Sequence, residues 1–205
     1  MRAFIAVDIP DNLRRSLAEV AGRLGGLGGD VKWVRPAGIH VTLKFLGEIG
    51  EERVDEVAEA MARAAAGKRP FEVTLAGLGA FPPKGPPRVI WVGIDRGAEE
   101  LTRLAAEVDC LCAGLGFEPE RRPFRAHVTL GRVRSPRGIG KLADEVRGGR
   151  GGRGGGAGGA GGGGWSGFSA EPFMAGSVKL MRSDLRPSGA VYTCLREVAL
   201  GQEAG

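Results

Sequence analysis

Apolar positions along this 205-residue chain alternate between a two-residue and a roughly 3.6-residue period, and each change of period marks an element. Residues 2–8 are a short apolar run with β-branched members, which predicts a strand. Pro10-Asp11 then offers a helix start with Asp11 as N-cap, and Leu13, Leu17, Val20, Ala21 and Leu24 keep helical spacing until Gly25-Gly26. Residues 31–34 read as a short extended segment closed by Pro36, and 39–46 as the next strand. Val54, Val57, Met61 and Ala65 predict a second helix, with acids at its start and Gly67 past its end. Residues 71–81 and 89–94 read as two strands of a hairpin, joined by a proline-rich loop over 82–87 where amide donors are missing and φ is fixed. Leu101, Leu104, Ala105, Val108, Leu111, Cys112 and Leu115 mark a third helix ended by Gly116. A strand over 126–133, a weaker helix over 139–147 and strands over 172–181 and 191–200 complete the pattern, the last two flanking a turn at Arg186-Pro187-Ser188-Gly189.

Strands and helices interleave, yet several strand pairs are joined by connections too short for parallel crossovers. The fold class expected is therefore α+β with mixed or antiparallel sheets, not a doubly wound sheet. Thirteen of the 37 glycines fall within 148–164, where there are no side chains to bury and ordering would cost backbone entropy without return. That segment is expected to be a disordered loop inside a single domain spanning 1–205. It also carries Arg150 and Arg153, two of the five net positive charges, so the basic balance does not by itself mark a nucleic-acid partner. No apolar run approaches a membrane span or a signal-peptide core, so a cytoplasmic protein with no membrane association is expected. Cys110, Cys112 and Cys194 lack the spacing of a zinc site or a disulfide framework, and no metal or cofactor is expected.

The chain has two histidines, and each opens the same four letters: His40-Val41-Thr42-Leu43 and His127-Val128-Thr129-Leu130. On a strand, residues two apart share a face, so each histidine projects with its threonine while the apolar neighbours point the other way. Two such strands 87 positions apart suggest pseudo-symmetric lobes whose polar faces meet across a cleft. Imidazole titrates near neutral pH, so one histidine can act as base while the other acts as acid. Threonine hydroxyls can donate to anionic oxygens, and an in-line displacement at phosphorus needs this set of parts. Lys44 shares the strand parity of His40 and Thr42, which puts it either at the phosphate or in solvent. Phe45, Trp33, Phe124 and Tyr192 are left without a role.

With the paired motifs, the sequence resembles the 2H phosphoesterases, and within them the bacterial and archaeal RNA 2′,3′-cyclic phosphodiesterases, also called 2′-5′ RNA ligases. The likeness extends to residues 2–10, Trp33-Val34, 40–47, 79–82, Arg122-Pro123-Phe124-Arg125, 182–185 and Tyr192-Thr193. The glycine-rich segment stands apart from it. The resemblance implies two lobes around a cleft and metal-independent opening of a terminal RNA 2′,3′-cyclic phosphate to a 2′-phosphate. It makes His127 the general base, His40 the general acid, and Thr42 and Thr129 the holders of the phosphate oxygens. In the reverse direction an RNA 5′-hydroxyl would replace water, giving 2′-5′ ligation. Arg132 stands where the family carries a phosphate-contacting arginine. Its offset of five from His127 faces away on a regular strand, and a bulge at Gly131 would turn it back. The partner implied is RNA with a cyclic phosphate end, a tRNA fragment for example, bound by a monomer. Two other readings remain open: a phosphodiesterase for small nucleotides such as 2′-5′ oligoadenylate or an ADP-ribose cyclic phosphate, and a non-catalytic RNA-binding module.

Overall fold

The computed structural model describes residues 1–148, 169–186 and 189–201. The expected disordered loop at 148–164 lies, apart from Gly148, outside the described residues, as do Pro187 and Ser188 of the expected turn. Among the described residues the strands are β1 (Arg2–Val7), β2 (Asp30–Trp33), β3 (Val41–Glu48), β4 (Phe71–Val73), β5 (Leu75–Phe81), β6 (Val89–Ile94), β7 (His127–Ser135), β8 (Phe173–Ala175), β9 (Ser177–Arg186) and β10 (Gly189–Ala199). The helices are α1 (Asp11–Gly25), α2 (Val54–Ala65), α3 (Ala98–Gly114) and α4 (Gly140–Val146).

Two four-stranded sheets organise the molecule. The first runs β10-β9-β1-β3 and the second β2-β7-β6-β5, and all pairings between neighbours are antiparallel. The α+β expectation holds, with one motif strand in each sheet. Strands β3 and β7 come into contact, so the strands that carry the two motifs lie together where the sheets meet. The superposable unit is β3 beside β1 and β7 beside β6. The symmetry stops there, because β3 is an edge strand among the described residues while β7 is covered on its other side by β2.

Helices fill the outer faces. α2 lies against α3, β9 and β10, α3 also touches β3, α1 contacts β7, and α4 contacts β5. The amphipathic spacing read from the sequence accounts for this: Leu13, Leu17, Val20, Ala21 and Leu24 of α1 are all buried, as are Val54, Val57, Met61, Ala64 and Ala65 on α2. Each large apolar side chain among them contributes roughly 1.5–3 kcal/mol when fully removed from water. Strand β1 is buried from Ala3 to Val7, with Ala3, Ile5 and Val7 in the main apolar cluster and Phe4 and Ala6 on the opposite face.

Three sequence expectations change. Pro10, with non-helical ψ of 147°, takes the cap position, and Asp11 becomes the first helical residue, where it pairs with Arg14 at 2.8 Å. The strand expected over 71–81 is two strands in different sheets. Val73 pairs with Phe173 in a small β4–β8 ribbon, whereas Leu75 begins the pairing with β6. The crossing at Thr74 is pinned by backbone hydrogen bonds to Arg96 and Asp95. The strand expected over 172–181 likewise divides at Gly176 into β8 and β9, because its halves pair with β4 and β1. Among the described residues no helix is long and apolar enough to cross a membrane.

Candidate active site

Each motif strand carries one extra residue immediately after its threonine. In β3 the pairing with β1 runs Ala6 with Thr42 and then Ile5 with Lys44, leaving Leu43 over. In β7 the pairing with β6 runs Trp91 with Thr129 and then Ile90 with Gly131, leaving Leu130 over. A bulge of this kind reverses the side-chain alternation beyond it. Lys44 and Gly131 consequently turn to the core side, and Phe45 and Arg132 turn to the face that carries the histidines.

The bulge brings Arg132 to the site, as the sequence allowed, and its charge contributes to the lowered pKa of both imidazoles. The same geometry removes Lys44 from the site, and both sequence alternatives for it fall. Its side chain is 4% exposed and ion-paired with Asp109, and Nζ donates to the Glu118 carbonyl at 2.9 Å. Asp109 in turn accepts from the Glu120 amide at 3.1 Å, so Lys44 ties β3 to α3 and the loop after it. Gly131 is obligatory for another reason: the Trp33 ring and Val31 lie over it, and a Cβ there would come within 2.7 Å of Val31. Trp33 is thereby a packing residue between Gly131 and Gly25 of α1.

His127 opens β7, and His40 directly precedes β3 in extended chain after a single 3-10 turn over Pro36–Gly38. Nδ1 of His127 lies 2.6 Å from the Arg125 carbonyl, which can only accept, so Nδ1 carries the proton and Nε2 keeps its lone pair. At His40 the Gly38 backbone, also two residues earlier, acts in the same sense by favouring the protonated ring. Neither threonine hydroxyl has a hydrogen-bond partner among the described residues and neither residue is buried, which leaves both free for a ligand.

Both imidazoles sit against aromatic rings. His40 stacks on Phe4 at 4.7 Å and meets Tyr192 edge-on at 5.4 Å. His127 meets Phe81 edge-on at 5.1 Å and Trp91 at 6.3 Å. Trp91 lies flat over Gly79, where a Cβ would fall on the indole. Burial is the main cause of a lowered pKa at each histidine: it takes His40 down to about 4, with further depression by Arg14, and lowers His127 as well. The hydrogen bonds to the Gly38 and Arg125 backbones oppose the shift without cancelling it. Arg14 reaches this position from α1, held by Asp8 and Asp11, with its Nε 3.4 Å from the Ile39 carbonyl. Lys179 shares Asp8 with it at 2.7 Å.

Sequence reasoning left Phe45 and Tyr192 unassigned. Phe45 is 64% exposed on the histidine face and touches Phe4, with ring centroids 6.1 Å apart, so its apolar ring is open to a ligand. The signal that finds it is pseudo-symmetry, since Phe45 occupies in β3 the place of Arg132 in β7. Phe124 is partly buried against the core. Among the described residues no group of three or more His, Cys, Asp or Glu is placed to hold a metal ion. The set of groups is two neutral imidazoles, two unengaged hydroxyls and one guanidinium, which suits proton transfer on either side of an anionic phosphorus centre.

Comparison with known proteins agrees with this chemistry. An RNA 2′,3′-cyclic phosphodiesterase of Archaeoglobus fulgidus is 37% identical over 199 residues, 96% of this chain and 98% of its own. One from Methanothermobacter thermautotrophicus is 32% identical over 94% of this chain and 95% of its own. A solved structure from Thermus thermophilus matches 99% of this chain and 100% of its own with a TM-score of 0.75 and 29% identity. E. coli LigT, complexed with 3′-AMP, shares the fold at a TM-score of 0.71 and 21% identity, covering 98% of both chains. The family model described as LigT like Phosphoesterase matches residues 7–91 and 92–150, and this chain belongs to that family.

Proposed function

We propose that this chain hydrolyses the 2′,3′-cyclic phosphate at the end of an RNA to a 2′-phosphomonoester, acting without a metal and working as one two-lobed unit over 1–205. The observation that carries the reading is the matched pair of histidines, each at the start of a bulged strand, each set against aromatic rings and each accompanied by an unengaged threonine. Nε2 of His127 takes a proton from water as the water oxygen bonds to phosphorus. The bond from phosphorus to O3′ breaks on the opposite side, and His40 gives its proton to O3′. Thr42, Thr129 and Arg132 donate to the non-bridging oxygens, where charge accumulates. His40 must be protonated to act, and the bound phosphate anion supplies the field that raises its pKa from the depressed value of the free protein. An RNA 5′-hydroxyl attacking in place of water follows the same course, its proton going to His127 and O3′ again leaving with a proton from His40, and joins two ends through a 2′-5′ bond. The exposed ring of Phe45 offers a surface on which the terminal base stacks. The reading also makes the protein a cytoplasmic monomer acting on RNA fragments, those of tRNA among them.

The test is incubation in chelator with an oligoribonucleotide ending in a 2′,3′-cyclic phosphate, with small cyclic nucleotides and 2′-5′ oligoadenylate in parallel. The expected product is a 2′-phosphate, formed at least ~10²-fold more slowly by His40→Ala and by His127→Ala. Turnover of the small nucleotides alone would move the assignment to them. Binding without turnover of any of these would make the protein a non-catalytic module.

A further inference from the structure

The histidine face of the second sheet continues past Arg132, and it does so with positive charge. Lys32 of β2 pairs directly with Arg132 of β7 in the antiparallel ladder, on the same face. Directly opposed residues lie about 5 Å apart at Cβ, and like charges placed so repel each other. Farther along β7 a second bulge leaves Arg134 over, between the pairs Val31 with Val133 and Asp30 with Ser135. Val133 packs toward the core with Val31, so alternation puts Arg134 on the face of Arg132 and Lys32. All three cations are exposed, and none has a carboxylate oxygen within 4 Å among the described residues. Asp30, on the same face of β2, forms no ion pair with any of them.

Arg14, Arg53, Lys68, Arg96, Arg182 and Arg196 are each matched with an acid, whereas these three cations sit side by side on one face with no ion pair among the described residues. The cluster is also one-sided. Among the described residues the first sheet has no strand beyond β3 to match β2, and its counterpart of Arg132 is the aromatic Phe45. A cluster of cations that forms no ion pair among the described residues, not even with Asp30 on the same face, and that is continuous with the histidine face, suits a polyanion. We propose that Lys32 and Arg134 extend the catalytic cleft into a backbone track that holds the phosphates of the nucleotides 5′ to the cyclic end. Arg132 and Arg134 are two strand residues apart, about 7 Å, which is of the order of the spacing between neighbouring phosphates in extended RNA. The track gives the protein a preference for oligonucleotide over mononucleotide. It rests on the RNA-end reading for which phosphate Arg132 holds.

Lysine on an edge strand also discourages sheet-to-sheet pairing, a role indifferent to RNA length. The experiment separates the two. Binding of an oligoribonucleotide ending in a 2′-phosphate, and of the matching nucleoside 2′-phosphate, is measured across salt concentrations for the parent and for Lys32→Gln/Arg134→Gln. Each single-strand phosphate contact adds about 0.7 to the slope of log affinity against log salt. The expected result is a parent slope for the oligomer roughly 1.4 above that of the mononucleotide. The double variant abolishes this difference, with about tenfold weaker oligomer binding and unchanged hydrolysis of a nucleoside 2′,3′-cyclic phosphate. An oligomer slope that the substitutions leave intact, or equal losses on both ligands, overturns the track. Failure of the parent to open any cyclic phosphate overturns the RNA-end reading instead, and the binding slopes still decide the track.

Discussion

Once Nδ1 of His127 is committed to the Arg125 carbonyl, Nε2 is the only ring nitrogen left to meet a substrate. Burial lowers the pKa of both histidines, so both begin neutral near pH 7, and turnover requires one of them to hold a proton. With His40 near 4 and His127 below 6.5, the singly protonated state of the free protein is most populated on the acid side of 6.5. The pH profile of kcat/KM should accordingly peak below 6.5. The profile of kcat should peak at higher pH, since the bound anion favours imidazolium. Steady-state rates on a nucleoside 2′,3′-cyclic phosphate from about pH 4 to 9 test this, and a kcat/KM optimum above about pH 7 would contradict it. At Arg132 the planar fork matters as well as the charge. Arg132→Met should lower kcat by about 10²–10³-fold, and Arg132→Lys should restore only part of it.

At the scale of elements, the helices are legible in the sequence because their buried stripes are long and regular, and the two motifs are legible because a strand keeps histidine and threonine together over two residues. Parity counting fails after that point. In β7 the sequence offers a sign, Gly131, and Arg132 is placed with its help. In β3 the pair Leu43-Lys44 carries no such sign, so Lys44 reads as solvated or phosphate-facing although it is buried with Asp109. Strand splits at Thr74 and Gly176 are equally hidden, because strand-forming composition continues across both and the change of pairing partner leaves no mark in it. The buried pair makes its own prediction. Lys44→Met strands the Asp109 carboxylate and should cost about 2–3 kcal/mol, below the usual loss because Asp109 keeps the Glu120 amide and some water. Adding Asp109→Leu should recover most of it. Urea midpoints for the three proteins check both statements, with kcat expected to change little.

For the molecule as a whole, the depressed histidines make stability depend on pH. The unfolded chain binds a proton at each histidine near pH 6.5, whereas the folded protein resists doing so until lower pH. Stability from this source is complete above 6.5 and is lost as pH falls toward 4, by at most about 3 kcal/mol for His40. Urea unfolding at about pH 7, 5.5 and 4.5 should show the parent losing more stability on acidification than His40→Gln. Equal losses would mean that burial of His40 carries no such cost.

The pairing of β1 with β9 joins Ala3 to Arg182, and Lys179 reaches back 171 positions to Asp8. Strand β1 is also the partner on which the His40 strand is laid. During synthesis, then, β1 leaves the ribosome long before β9 and waits for this second neighbour until β9 has been made. A polypeptide cut short between β7 and β9 holds both histidines but not the sheet that aligns the first of them. Products that end before β9 are thus expected to be catalytically silent, and the capacity to act on a phosphodiester is acquired only once β9 has been made.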